Sequence, residues 1–333
     1  MKRLWAVLFL VGCGPAGKPF EYPLDKMLRL DDVQMKGTHN SYHIEKSDIP
    51  EWEYTMAPLD VQLDAQGVRQ IELDVNYLQN DSGDGHHFEV FHVPGADDSS
   101  TCLLFVDCLR TVDNWSVRYP GHLPIYIQVE PKSGFTPEVA DAFIADFERE
   151  ILSVFSRDRI LTPDELRGGA ATLPAALAGG WPTLDKLRGR VYFAFDNRDV
   201  VRQAYTHGGQ DLNGRLIFVD SDPSDPFGAI SVQNDPVANA AAIAADALAH
   251  LLVRTRSDED GVQFRANDMS EFQAALVSGA HFISTDFPAP VAAGPYFITI
   301  PDGTPARCNP LTAPPGCTPL ALENPAFVGS GAH

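Results

Sequence analysis

The feature that most constrains the fold is a recurring short apolar run, which in most cases closes on a polar, chemically reactive residue. Eight such runs lie at 33–37, 70–75, 88–93, 124–129, 190–195, 216–220, 251–256 and 281–285. Each has the length and β-branched or aromatic content of a buried strand. Helix-compatible stretches lie between them, most clearly at 136–155, 236–252 and 268–278, with Thr136-Pro137 and Asn267-Asp268 as cap and first-turn signals. The alternation, with no internal linker or repeat, predicts a single-domain α/β fold of the (β/α)8 TIM-barrel type. It is expected to be irregular after the second and third strands, where the helical signals are weak.

In such a barrel the strand ends converge on one mouth, so residues distant in sequence meet there. The run ends carry His39-Asn40, Glu72 and Asp74, His92, Glu130, then Arg254, Arg256 and Asp258, and Asp286. In Ile71-Glu72-Leu73-Asp74-Val75 the strand period of two puts both carboxylates on one side. Two carboxylates buried together need a cation or strong donors. Asn40, Glu72, Asp74 and Glu130 are all hard oxygen donors, which suits calcium or magnesium; an extracytoplasmic setting favours Ca2+. Such an ion could neutralise a phosphate oxygen and acidify a nearby hydroxyl. His39 and His92 beside it could then supply one base and one acid.

The formal net charge of −20 repels nucleic-acid backbones and argues against nucleic acid as a partner. It also argues against a basic membrane-binding face, so a lipid must be engaged locally. The chain opens with Lys2-Arg3, an apolar stretch too short to span a bilayer, and then Leu10-Val11-Gly12-Cys13, which looks like a lipobox. Residues 1–12 are therefore expected to be a lipoprotein signal peptide, and 13–30 a lipidated N-terminus (at Cys13) with its tether. Residues 31–300 would be the barrel, and 301–333 a Pro-rich tail. The expected location is extracytoplasmic, anchored in a cell envelope, with plain secretion as the alternative. The other four cysteines fall in two local pairs, Cys102 with Cys108 and Cys308 with Cys317, without zinc-site spacing. In an exported protein two short disulfides are the economical reading.

His39-Asn40, Glu72-x-Asp74, His92 and Glu130, in this order on successive runs, resemble the calcium-dependent phosphatidylinositol-specific phospholipase C family, above all its bacterial secreted branch. The likeness extends from about Gln34 to about Pro288. It implies Asn40, Glu72, Asp74 and Glu130 as calcium ligands, and His39 and His92 as the catalytic pair. It also implies attack by an inositol 2-hydroxyl on a phosphoinositide-like lipid, giving diacylglycerol and a cyclic inositol phosphate. Lys132 and Arg254 are candidates for the scissile phosphate, with structural ion pairs as the equal alternative. The alternatives in function are a glycerophosphodiester phosphodiesterase, whose site typically begins His-Arg where this chain has His39-Asn40, and a non-catalytic surface lipoprotein. His43 and the remaining histidines read as hydrogen-bonded structural residues, and Asp81, Asp84, Asp97 and Asp98 as turn residues. Asp286 is left between orienting a catalytic group and capping a helix. Oligomeric state is unconstrained.

Overall fold

Ten strands make one sheet in the computed structural model, which describes residues 21–46, 49–132, 134–302 and 305–327. The expected signal peptide and Cys13 lie outside the described residues. In chain order the strands are β1 (Val33–Thr38), β2 (Gln70–Gln79), β3 (His86–Val90), β4 (Ile125–Pro131), β5 (Val191–Phe195), β6 (Phe218–Val219), β7 (Ile230–Val232), β8 (Leu252–Arg256), β9 (Phe282–Thr285) and β10 (Ala306–Cys308). Eight are parallel neighbours in the order β6-β5-β4-β2-β1-β9-β8-β7. The ends of this series meet through one parallel bridge, Asp220 to Ile230, which makes a nearly closed, irregular TIM-type barrel. The Asp220 side chain reinforces that seam by accepting a hydrogen bond from Val232 N at 2.9 Å.

One expected barrel strand takes another role. The run at 88–93 supplies β3, which returns antiparallel along β2 with Val75 opposite Val90 and Tyr77 opposite Phe88. A turn in which Asn80 N donates to Gly85 O forces that reversal. The missing barrel strand is β7, whose three residues are too few to stand out in sequence. The other expected runs all contribute barrel strands. They read as continuous apolar runs because the barrel interior buries one face and the helices the other.

The helix Pro137–Val154 shows how that outer layer forms. Proline occupies its first turn, and Ala140, Phe143, Ile144, Phe147 and Ile151 make one buried face. Phe143 and Phe147 meet Phe195 of β5 and Phe88 of the β3 arm, so the arm is packed against the same helix as the barrel wall. Inside the barrel, Gln70 crosses above Gly37: a Cβ at Gly37 would lie 1.8 Å from Gln70 Oε1. That oxygen accepts from Ser284 Oγ at 2.9 Å, so β2 reaches β9 across β1.

The tail closes the opposite, N-terminal end. β10 pairs antiparallel with β1, Val33 opposite Cys308. Disulfides join Cys102 to Cys108 and Cys308 to Cys317. Among the described residues no helix is long and apolar enough to cross a membrane.

Candidate active site

The register of β2 against β4 builds the centre of the site. Glu72 stands beside Gln128, and Asp74 beside Glu130, on adjacent parallel strands. Like charges placed directly opposite each other are destabilising, and here Glu72 and Asp74 are also buried. One carboxylate oxygen from each of Glu72, Asp74 and Glu130 lies within 4.8 Å of the other two. Burial, followed by the charge of Glu130, pushes the Asp74 carboxyl well above its usual range, with Lys132 opposing. The donors that reach Asp74 are the Tyr42 hydroxyl and Lys132. The charge beside it is Lys132 Nζ, an ion-pair partner 3.2 Å from Oδ2. Three carboxylates crowded around one lysine, in an all-oxygen donor set, fit a hard divalent cation. Asn40 sits just past β1, buried, with φ +40°, a conformation that asparagine tolerates better than most residues. Its Oδ1 accepts from the Tyr42 hydroxyl at 3.3 Å.

His39 leaves β1 with its Nδ1 2.8 Å from Asp286 Oδ1, and its Nε2 3.7 Å from Glu72 Oε1. Burial and then the Arg256 charge hold its pKa well below the ordinary histidine value. The ring is therefore neutral, with its single proton on Nδ1, donated to Asp286, and a lone pair on Nε2 facing the carboxylates. Asp286 also accepts from Arg256 Nη2 at 3.2 Å. Of the two roles the sequence leaves open for Asp286, the orienting one is the one that its contact with the His39 ring suits.

His92 arrives from the β3 arm. Its Nδ1 is 3.0 Å from Asp97 Oδ2, and the edge of Trp52 packs on its ring at a centroid distance of 5.0 Å. Burial and then Lys132 lower its pKa, and Asp97 pulls it back up. Among the described residues its Nε2 has no hydrogen-bond partner.

The two expected phosphate contacts are engaged in the protein itself. Arg254 is 1 % exposed; its guanidinium donates to Glu72 Oε2 (2.5 Å), Ser284 Oγ (2.7 Å) and Asn234 Oδ1, which makes it the counter-ion of Glu72. Lys132 is half-buried and bridges Glu130 Oε1 (2.9 Å) and Asp74. Sequence reasoning passes over Asp196, at the exit of β5, and reads Asp97 as a turn residue. Burial, then Glu130, raises the Asp196 carboxyl well above its usual range. Asp196 and Glu130 share a cavity of about 320 Å³ with Asn197, Arg198 and Asn234. The signal that could have found Asp196 is the one that found the others: a charge just beyond an apolar strand.

Barrel, acidic triad and paired histidines bring hard oxygen donors and two acid–base groups together at one barrel mouth. A family model for the calcium-dependent phosphoinositide phospholipases C matches residues 80–310, more than half of the chain, and the protein belongs to that family. The matched segment holds His92, Glu130 and Asp286; His39, Asn40, Glu72 and Asp74 precede it. No curated protein matches the chain in sequence. Among solved structures, a calcium-dependent phosphoinositol-specific phospholipase C from a Pseudomonas species is similar at TM-score 0.61 and 20% identity, over 86% of this chain and 97% of that one. The Ca2+-dependent phosphatidylinositol-specific phospholipase C of Streptomyces antibioticus gives TM-score 0.58 and 20% identity, over 78% and 95%. The phosphatidylinositol-specific phospholipase C of Listeria monocytogenes gives 0.51 and 16%, over 79% and 91%. At such identities these likenesses speak to the fold.

Proposed function

We propose that the chain cleaves phosphatidylinositol-type lipids to diacylglycerol and a cyclic inositol phosphate. The observation that carries this reading is the pair of histidines flanking one buried acidic triad, each with Nδ1 held by an aspartate. Asn40, Glu72, Asp74 and Glu130 would hold the calcium ion, which when bound supplies positive charge to a phosphate oxygen and to the attacking hydroxyl. Neutral His39 takes the proton of the 2-hydroxyl on Nε2 as that oxygen bonds to phosphorus, and Asp286 stabilises the resulting imidazolium. The P–O bond to glycerol breaks, and His92, protonated, gives its Nε2 proton to the departing alkoxide. Arg254 pairs with Glu72 and holds its carboxylate in place. Two disulfides suit the proposed extracytoplasmic location, with Cys13 as the membrane anchor.

The test is phosphorus NMR on phosphatidylinositol micelles, with calcium or with chelator. A cyclic inositol phosphate should appear with calcium and vanish with chelator. His39→Ala and His92→Ala should each lower kcat by roughly 10²–10⁴-fold. Full turnover in chelator would remove the metal assignment. Linear phosphate from glycerophosphodiesters, with no cyclic product, would replace the lipid reading.

A further inference from the structure

His43, which the reaction above leaves unused, lies completely buried behind the site. Its Nδ1 is 2.8 Å from the carbonyl oxygen of Tyr54, and its Nε2 is 2.9 and 3.1 Å from the two oxygens of Asp97. A carbonyl oxygen only accepts, so Nδ1 carries a proton, and Nε2 faces both oxygens of Asp97, which makes His43 and Asp97 a directly bonded buried pair. Asp97 Oδ2 in turn accepts from His92 Nδ1. A fully buried carboxylate without a partner would take up a proton and lose its hold on an imidazole. His43 is the partner that Asp97 has on its buried side.

The backbone fixes the same three residues. Val93 N donates to Asp97 O, and Asp97 N to Val93 O, each at 2.8 Å, which folds Asp97 back beside His92. His43 bridges Ser100 in antiparallel fashion, and Thr101 N donates to Tyr42 O at 2.7 Å. His43 N also donates to Asn40 O at 2.9 Å. The short segment from His39 to His43 therefore carries one catalytic histidine and the support of the other. The Tyr54 ring, 4.3 Å from that of His43, closes the chain of contacts on its far side.

We infer that Asp97 and His43 are positioning residues for His92, a His–Asp–His chain that sets its tautomer and favours the protonated ring that delivers to the leaving group. This rests on the phospholipase C reading above. In the step concerned, the P–O electron pair passes to the glycerol oxygen and the Nε2 proton of the His92 imidazolium passes to the same oxygen. The ring is left neutral, its Nδ1 proton still donated to Asp97. Asp97 thus holds a positive ring before the step and a neutral one after it, and its charge favours the acid form. The titratable groups facing His92 are Lys132 and Glu130 from the end of β4, His39 from the end of β1, and Asp97 from its own loop.

The experiment compares two leaving groups on the full chain with calcium. Phosphatidylinositol expels an alkoxide that needs a proton; the p-nitrophenyl ester of inositol 1-phosphate expels a phenolate that does not. Asp97→Asn is expected to lower kcat on the lipid by on the order of 10²-fold, and on the aryl ester by less than about threefold, because misfolding or loss of substrate binding would lower both. His43→Leu should follow the same pattern at about tenfold, by analogy with the loss of an outer-shell partner of a histidine. His43→Gln, whose amide can still donate to Asp97, should recover most of it. Equal losses on both esters, or none, would overturn the inference. Nitrogen-detected NMR titration of His92 gives an answer independent of turnover: its pKa should fall in Asp97→Asn and His43→Leu relative to the parent chain. An unchanged His92 titration would also overturn the inference, whereas a parent chain that cleaves neither ester would overturn the phospholipase C reading alone.

Discussion

Asp258 and Asp286 lie side by side behind His39, and only Asp286 faces a cation directly. Asp258 accepts from Asp286 N (2.8 Å) and from the hydroxyls of Ser257, Thr285 and Tyr296. Burial and then the charge of Asp286 raise its pKa from 3.8 to about 6. A carboxyl whose folded pKa is raised binds its proton more tightly in the folded chain. It imposes no penalty below the unfolded pKa and a full one above the folded value. Asp258→Asn fixes the neutral form, and the three hydroxyls can rotate to meet its amide. Between pH 4 and pH 7 the parent chain should lose about 2 kcal/mol of stability relative to Asp258→Asn, most of what a shift of about two units at 1.36 kcal/mol each supplies, since pH 4 already lies just above the unfolded pKa. Urea unfolding across that range measures it; a pH-independent difference would show that the raised pKa is absent. The residues legible in sequence were those at strand exits, because a charge ending an apolar run has few structural excuses. Asp97 was not, since an aspartate after Pro94-Gly95 reads as a turn. Its role comes from a contact with His43 across a separation of 54 residues.

At the scale of elements, the barrel is held where strands touch least. β1 and β2 share a single register pair, Gly37 with Gln70, and there the Gln70 side chain takes over from the backbone by reaching Thr38 O and Ser284 Oγ. Gly37 has no left-handed φ, so Gly37→Ala alone would be expected to gain roughly 0.4–1 kcal/mol from the unfolded chain. The clash decides otherwise: Gln70 is fully buried and its Cδ would lie 2.8 Å from the new methyl. Gly37→Ala should cost about 1–3 kcal/mol, the range for overpacking. In a Gln70→Ala background the same change should cost much less, and an equal cost in both backgrounds would place the strain elsewhere. This interlock explains what the sequence could and could not show. Apolar runs announce strands, and seven of the eight barrel strands were visible that way. Pairing partners are set by the closed barrel, so the run at 88–93 could not be distinguished from a barrel strand until β2 was seen to carry it back antiparallel. β7 stayed hidden because its place depends on the bridge from Asp220 to Ile230 rather than on its own composition.

For the whole molecule, the two ends of the barrel divide the work. The C-terminal mouth concentrates carboxylates at an energetic cost, and the N-terminal end is closed by the tail. The sequence marks the tail as Pro-rich with a local cysteine pair; beyond the β10 pairing, its docking uses one charge that local pattern cannot reveal. Glu323 accepts from Arg69 Nε at 3.0 Å and, at closer range, from Arg69 Nη2, and also from Leu123 N at 2.7 Å. Arg69 precedes β2 and Leu123 precedes β4, so this carboxylate ties the tail to the two strands that carry the acidic triad. Both side chains of the ion pair are about 97% buried, the guanidinium lying over the Trp115 ring at 4.7 Å. Removing one partner of a buried pair strands the other charge, at a cost of about 3–5 kcal/mol. Glu323→Gln should therefore lower stability by that order in urea unfolding. The triad is built at the far ends of β2 and β4, so kcat measured well below the melting temperature should stay within about twofold of the parent value. A large loss of turnover in a chain still fully folded would show that the tail sets the strand register at the mouth. Unchanged stability would mean that Arg69 finds another acceptor when Glu323 is neutral.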